Sequence, residues 1–336
     1  MLALVCVMAS RSVAGAPAVS VALVEPGAAV FGGREAVFHA TINAEAGTIA
    51  RVGWTLRVAQ RVILRRETPL TIPATAAATI EIRLSVPPVK PGVVMPADLE
   101  VQVWTADPAH PPATLTRRLW IFPEDPFAAR GEWLAACRIR LFDPDTATAD
   151  LFESLRIPYE YVSRPAALDG ESEPVTLLLG AGLDFDDYPG LDAVLARLAR
   201  GGHRVLCLAP GAGDFVLPGT APAAGAAPAR LEFRRADIVR DLDKRLDHAA
   251  WPQGEERAAV TGLILTTRGG MVVGRVTSGA DAWPWVSARY SGGGRLVVCG
   301  FPIVASWGHG PTPRFLLLRL LEWLAKTETK LKEEGP

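Results

Sequence analysis

The chain has 336 residues, 49 % of them hydrophobic, which is enough apolar material for buried cores and, by the length of ordinary domains, for two of them. Lys plus Arg (35) almost cancels Asp plus Glu (36), and no run of like charge precedes the C-terminal tail. That balance leaves nothing to neutralise a phosphate backbone, so nucleic acid is excluded as an expected partner.

Residues 1–16, MLALVCVMASRSVAGA, join an apolar run from Leu2 to Ala9 to the small-residue pattern Ala14-Gly15-Ala16 before Pro17. This is how a signal peptide ends, and it predicts export to the periplasm or the extracellular space. The run lacks a positive start, and the alternative is a first strand of the domain that follows. Val5 before Cys6 is too large for a lipid-anchoring site. Without the leader the cysteines are Cys137, Cys207 and Cys299, an odd number in apolar runs, expected as free buried thiols.

Between Ser20 and Phe122 the pattern alternates in VSVALV, AVFHATI, VGWTLRV, ATIEIRLSV, LEVQVW and TRRLWIF, with Pro- and Gly-rich pieces between. Short strands at this spacing predict an antiparallel β-sandwich of immunoglobulin type over 17–123, without the cysteine pair of antibody domains. Trp54 is expected as its core anchor. The stretch PEDPFAARGEW interrupts the pattern and marks a linker at 124–132.

From 133 to 326 strands and helices alternate. WLAACRIRLF reads as a continuous strand, and DPDTATADLFESLRI as a helix capped by Thr146 or Thr148 with Leu151, Phe152 and Leu155 on one side. YEYV and VTLLLG read as strands. A helix then opens at Pro189, carries the stripe Leu191, Leu195 and Leu198, and stops at Gly201-Gly202. HRVLCLA, GLILTTR, GMVVGRV and GRLVVCGF add strands, and PTPRFLLLRLLEWL a last helix. Arg319 and Glu322 break the latter's apolar run, so no span of a bilayer is expected after the leader. Residues 327–336 are a polar tail. Apolar strands joined through helices predict a parallel sheet covered on both faces, a doubly wound, flavodoxin-like α/β domain.

Three stretches carry a resemblance: RIRLFDPDTATADLFESLRIPYEYV, LDAVLARLARGGHRVLCLAPGAG and GGGRLVVCGFPIVASWGHGPTPRFLLLRLLEWL. Together they resemble the class I glutamine amidotransferase-like domain, as found with a preceding β-sandwich in accessory regions of exported bacterial β-galactosidase-type glycoside hydrolases. Active members of that family hold a cysteine in a Gly-x-Cys-x-Gly elbow at a strand end, followed later by a His-Glu pair. The stretch matching the elbow is Val205-Leu206-Cys207-Leu208-Ala209-Pro210, where Cys207 lacks both glycines. The positions matching the pair are Gly300-Phe301-Pro302-Ile303. The resemblance therefore implies the fold without the chemistry, and no catalytic residue is carried over. A glycosidase barrel of about 250 residues has no room beside the two domains.

Ligands of doubly wound sheets bind beyond the carboxyl ends of the strands. That rule selects Asp143 and Asp145, the Gly180-Ala181-Gly182 turn with Asp184, Asp186 and Asp187, and Gly211-Ala212-Gly213 with Asp214. These carboxylates either hold a hydroxyl-rich ligand or cap helices and tighten turns. Asp184-x-Asp186-Asp187 has oxygen ligands but not the glycine and glutamate of a calcium loop, so no metal is expected. No dinucleotide or phosphate-loop glycine pattern is complete, so no cofactor is expected either. Trp283, Trp285, Trp307 and His309, with Tyr290, offer flat faces to sugar rings or to a protein, or else pack internally. His39, His110, His203 and His248 stand in no motif.

The reading is an exported, non-catalytic, carbohydrate-associated binding or assembly module with a carbohydrate or protein partner. Its rivals are a glycan hydrolase using the strand-end aspartates and an envelope scaffold for protein contacts.

Overall fold

The computed structural model describes residues 19–106, 111–219, 227–246, 262–276 and 282–326. The expected leader at 1–16, the 327–336 tail, His110 and His248 lie outside the described residues. The chain divides into two compact units, one of Met1–Pro26, Arg34–Pro87 and Pro96–Leu119, the other of Gly27–Gly33, Pro88–Met95 and Trp120–Pro336. Among the described residues no helix is long and apolar enough to cross a membrane.

The first unit is built from β-strands. β1 (Val19–Leu23), β3 (Glu35–Ala44) and β6 (Ala77–Ser85) form a three-stranded antiparallel sheet in the order β1-β3-β6. Of the five-stranded sheet β2-β8-β7-β4-β5 the first unit holds β4 (Ile49–Val58), β5 (Arg61–Thr71) and most of β7 (Met95–Thr105) and β8 (Ala113–Phe122), while β2 (Ala29–Phe31), paired with Trp120–Phe122, belongs to the second unit. Period-two alternation sorts each strand: Phe38, Ala40 and Ile42 of β3 and Leu99, Val101 and Val103 of β7 are buried while their neighbours are not. The β4–β5 hairpin turns through Ala59 and Gln60, both at positive φ (46° and 67°), the left-handed pair that matches strand twist. Trp54 is only partly buried, so the core of this unit rests on its aliphatic residues instead.

The second unit centres on a seven-stranded sheet in the order β10-β9-β11-β12-β18-β17-β14. Its strands are β10 (Glu160–Tyr161), β9 (Ile139–Phe142), β11 (Thr176–Leu179), β12 (Arg204–Leu208), β18 (Arg295–Cys299), β17 (Trp285–Arg289) and β14 (Arg230–Arg234). The first five run parallel, and β17 and β14 continue the sheet antiparallel. Alternate side chains divide between two cores. Leu178, Leu206, Leu208 and Val297 pack with Phe152 of α2 (Ala147–Leu155), with Val239 of α4 (Ile238–Leu242) and with Phe315, Leu317 and Leu321 of α5 (Pro311–Ala325). Leu177, Leu179, Val205 and Val298 pack with the predicted stripe of α3 (Leu191–Arg200). A sheet covered on both faces has no polar face, which is why these strands read as unbroken apolar runs.

Four expectations change. WLAACRIRLF is a short helix, α1 (Gly131–Ala136), followed by β9, because Arg138 takes a left-handed φ of 48° and breaks the run. GLILTTR and GMVVGRV supply β15 (Leu263–Thr266) and β16 (Val272–Val276), which join β13 (Asp214–Val216) in a separate three-stranded sheet. The antiparallel flank, β17 and β14, went unread. Trp285, a candidate ligand face, lies buried within β17.

Candidate functional site

Register brings the carboxyl ends of the parallel strands to one edge. Leu179 pairs with both Phe142 and Cys207, and Leu208 with Cys299, so Asp143, Gly180, Ala209 and Gly300 follow in line. Asp143 is 1 % exposed. Its Oδ2 accepts from the amides of Thr148 (2.9 Å) and Ala149 (2.8 Å), so Asp143, rather than Thr146 or Thr148, caps α2. The Thr148 hydroxyl instead accepts from the Ala181 amide at 2.9 Å. Asp143 Oδ1 is buried with no hydrogen-bond partner among the described residues, against Gly180, where an added Cβ would stand 1.8 Å from it. Burial raises the Asp143 pKa above the ordinary carboxylate value, against the pull of the two amides.

The other edge carboxylates are held by local structure. Asp184 Oδ1 accepts from the Asp186 amide (2.9 Å), and Asp186 Oδ1 from the Asp214 amide (3.2 Å). Asp145 is exposed beside Gly182, whose φ of 91° suits glycine. No group of three His, Cys, Asp or Glu that could hold a metal occurs among the described residues.

Cys207 is an interior residue of β12, 1 % exposed, and burial pushes its thiol pKa far up, with Cys299 adding to it. The strained turn belongs to Ala209, the first residue beyond β12, at φ 34°. Its amide donates to Cys299 O (2.7 Å) and its carbonyl accepts from the Gly182 amide (2.9 Å). Pro210 follows and carries no N–H. The left-handed residue thus stands two positions beyond Cys207, and it is an alanine, itself buried at 3 % exposure. After β18, Phe301 and Ile303 are buried in the apolar core and offer no base.

The aromatic candidates do not gather. Trp285 is 1 % exposed, edge-on to Trp323 with ring centroids 5.7 Å apart, and offers no free face. Trp283 packs against the core on the α3 side of the sheet, under the Arg235 guanidinium at 4.0 Å. Trp307 packs against the core on the other side, with Arg314 at 5.5 Å. His309 is exposed, its amide donating to Ser306 O at 2.9 Å. His203 is buried, accepts from the Val175 amide at 3.3 Å, and has its pKa lowered by burial, the mark of a neutral structural imidazole.

What the sequence reading missed is a cleft of about 300 Å³ on the antiparallel flank, lined chiefly by Glu232, Arg234, Arg289, Arg319, Trp323 and Lys326. Leu231 and Phe233 of β14 pack against the α3-side core, which turns Glu232 and Arg234 to the cleft face. Arg234 is paired with Asp237 (2.7 Å) and with Asp241. Arg319 pairs with Glu322 and with Asp243 (2.8 Å), which also takes two bonds from Arg245 (2.8 and 2.7 Å). Burial alone would raise the Asp243 pKa, but these guanidiniums outweigh it and hold the pKa below the ordinary value. Arg289 is different: its guanidinium lies 4.9 Å from the Trp323 ring centroid, and its buried Nε finds no acceptor among the described residues. The signal that could have exposed the flank was the alternation in RLEFR.

Neither a protein-family model nor a curated protein matches this chain. Among solved structures it is similar to the sporulation control protein Spo0M of Bacillus subtilis, at 11 % identity over 32 % of this chain and 50 % of that one, with a TM-score of 0.22. It is also similar to β-glucuronidase 2 of Bacteroides uniformis (9 %, 56 % of this chain, 27 % of that one, TM-score 0.23). A family 123 glycoside hydrolase from Clostridium perfringens aligns at 9 % over 64 % of this chain and 41 % of its own, TM-score 0.24. Glycoside hydrolases are thus among the structural neighbours, at low identity and over part of their length, and likenesses at these scores carry no argument about activity.

Proposed function

We propose that this chain is an exported, catalytically inert binding module associated with carbohydrate, in which an immunoglobulin-like sandwich (17–123) leads through 124–132 into an amidotransferase-like α/β domain (133–326). The α/β assignment is supported by strand order: β10-β9-β11-β12-β18 places the parallel strands second, first, third, fourth and fifth, the flavodoxin-like order. The sandwich assignment is supported by the three- and five-stranded sheets.

The observation that carries the reading is Ala209 followed by Pro210. An elbow of this kind works because a nucleophile occupies the strained residue and the next amide donates to the oxyanion. Here the strained residue has φ 34° and only a methyl group, and the next has no amide hydrogen. The hydrolase alternative needs two available carboxyl groups about 5–9.5 Å apart, whereas Asp143, Asp184 and Asp186 are already bound to backbone amides. The flank cleft, with its mixed acids and bases and a volume near the lower end of ligand sites at about 300 Å³, is the site we assign to the ligand.

A thermal-shift screen of the full chain against a panel of oligosaccharides tests this. A ligand at about a hundred times its dissociation constant stabilises by roughly 2.7 kcal/mol, which moves the midpoint by several degrees. A saturable shift with one sugar class is expected. No shift with any sugar, together with capture of a protein partner, would replace the reading with the scaffold one.

A further inference from the structure

The charges of the flank cleft do not cancel. Its carboxylates each have an arginine: Asp241 takes Arg234, Glu322 takes Arg319 and Arg130, and Glu232 takes Arg230. Two of its cations are thereby neutralised, Arg234 and Arg319. Arg289 and Lys326 are left with no carboxylate partner among the described residues, although both line the same cleft.

Arg289 is also held in place. Its guanidinium stacks on Trp323, whose ring carries a second cation, Arg295, at 4.8 Å. Arg295 is itself fixed through donation to the carbonyls of Trp323 and Lys326. The buried Nε of Arg289 has no acceptor among the described residues, so no hydrogen bond inside the fold engages that edge of the guanidinium. A stacked guanidinium loses little freedom on binding, and its planar fork matches the two oxygens of a carboxylate.

We infer that the cleft recognises an acidic saccharide, with the Arg289 guanidinium taking the sugar carboxylate in a two-point ion pair, and Lys326 reinforcing the charge at the mouth. This rests on the proposed reading of the chain as a carbohydrate-associated module and names the class of sugar. The remaining lining suits the hydroxyls of such a ring: Glu232 and Asp241 supply acceptors, and Arg234 and Arg319 supply donors whose orientation their own ion pairs fix. At about 300 Å³ the cleft has room for a single ring with ordered water.

The test uses the full chain and three probes on one scaffold: glucose, glucuronate and glucose 6-phosphate, each titrated by calorimetry at low and at moderate salt. Glucuronate is expected to bind at least tenfold more tightly than glucose and to weaken as salt rises. In Arg289→Gln that preference is expected to vanish, with Arg289→Lys keeping part of it, since lysine retains the charge and loses the fork. A thermal midpoint for Arg289→Gln no lower than that of the parent shows that the lost binding is not lost folding; Arg289→Met serves in its place if the glutamine variant fails to fold. Equal binding of glucose and glucuronate at the cleft overturns the inference and leaves the module reading standing. Preference for the 6-phosphate over glucuronate overturns the assignment to a carboxylate. Binding of none of the three, alongside a negative oligosaccharide screen, removes both readings.

Discussion

The two ends of the α/β sheet solve the same problem in opposite ways. At the carboxyl edge, where a doubly wound sheet ordinarily keeps its ligands, three carboxylates are engaged by backbone amides: Asp143 caps α2, Asp184 holds Asp186, and Asp186 holds Asp214, with Asp143 Oδ1 left over among the described residues. On the antiparallel flank the pairing is incomplete and Arg289 remains over. The same contrast shows in two buried aspartates. Burial opposes the charged form of both, but Asp143 has only two amides to set against it and its pKa is raised, whereas Asp243 has Arg245 and Arg319 and its pKa is lowered. The topological rule says where sites tend to lie; whether the polar groups there are already satisfied decides if one is present.

The largest way to break the comparison lies on the flank. Asp243→Ala leaves Arg319 and Arg245 without their shared buried carboxylate; removal of one member of a fully buried pair costs about 3–5 kcal/mol, and the retained Glu322 partner puts this loss toward the lower end. Urea unfolding monitored by tryptophan fluorescence is expected to show a lower midpoint, and an unchanged midpoint would mean that solvent already satisfies this network. At the edge the corresponding break is steric. Gly180→Ala puts a Cβ 1.8 Å from Asp143 Oδ1, and overpacking of this kind costs about 1–3 kcal/mol. Because the clash is with one side chain, the double variant with Asp143→Ala should lose less than the sum of the single ones, and strict additivity in the cycle would show that Gly180 is needed for another reason.

Much of this contrast was hidden from the sequence. The α/β character, helix α3 and its Gly201-Gly202 stop were legible because Leu191, Leu195 and Leu198 repeat at helical spacing and the strands are unbroken apolar runs. An apolar run does not say which sheet it joins, so β15 and β16 were read as part of the main sheet, and WLAACRIRLF concealed a helix and a strand on either side of Arg138. Trp-Val-Ser-Ala-Arg in β17 is covered on both faces and shows no alternation to read. The turn after β12 was misplaced for a local reason: sequence offers the thiol of Cys207 as the marker, while the backbone puts its left-handed residue at Ala209, whose φ no side-chain pattern reveals. The aspartates were found, but their duties as caps depend on amides that only the folded loops bring within reach. The cleft assembles residues from β14, β17 and α5, separated by dozens of positions, and no short motif joins them.

The smallest effect sharpens the comparison most, because it reverses sign between the two aspartates. The Asp143 pKa is raised on folding, so its favourable contribution is complete below the unfolded value of about 4 and is lost as pH rises through the folded value. Asp243 runs the other way: its contribution is present above the unfolded pKa and is lost as pH falls through the lowered folded one. Asp143→Asn keeps a carbonyl oxygen for the Thr148 and Ala149 amides and removes the charge that burial penalises. It is expected to change stability by less than about 1 kcal/mol, in the stabilising direction near neutral pH and not at pH 3, so the difference from the parent should grow between those limits. Asp243→Asn should instead differ most from the parent at neutral pH and converge on it in acid. Denaturation midpoints for both variants across pH 3–8 decide the matter. A parallel rather than crossing pair of curves would mean that Asp143 is ionised as comfortably in the fold as out of it, and that the carboxyl edge is open to water after all.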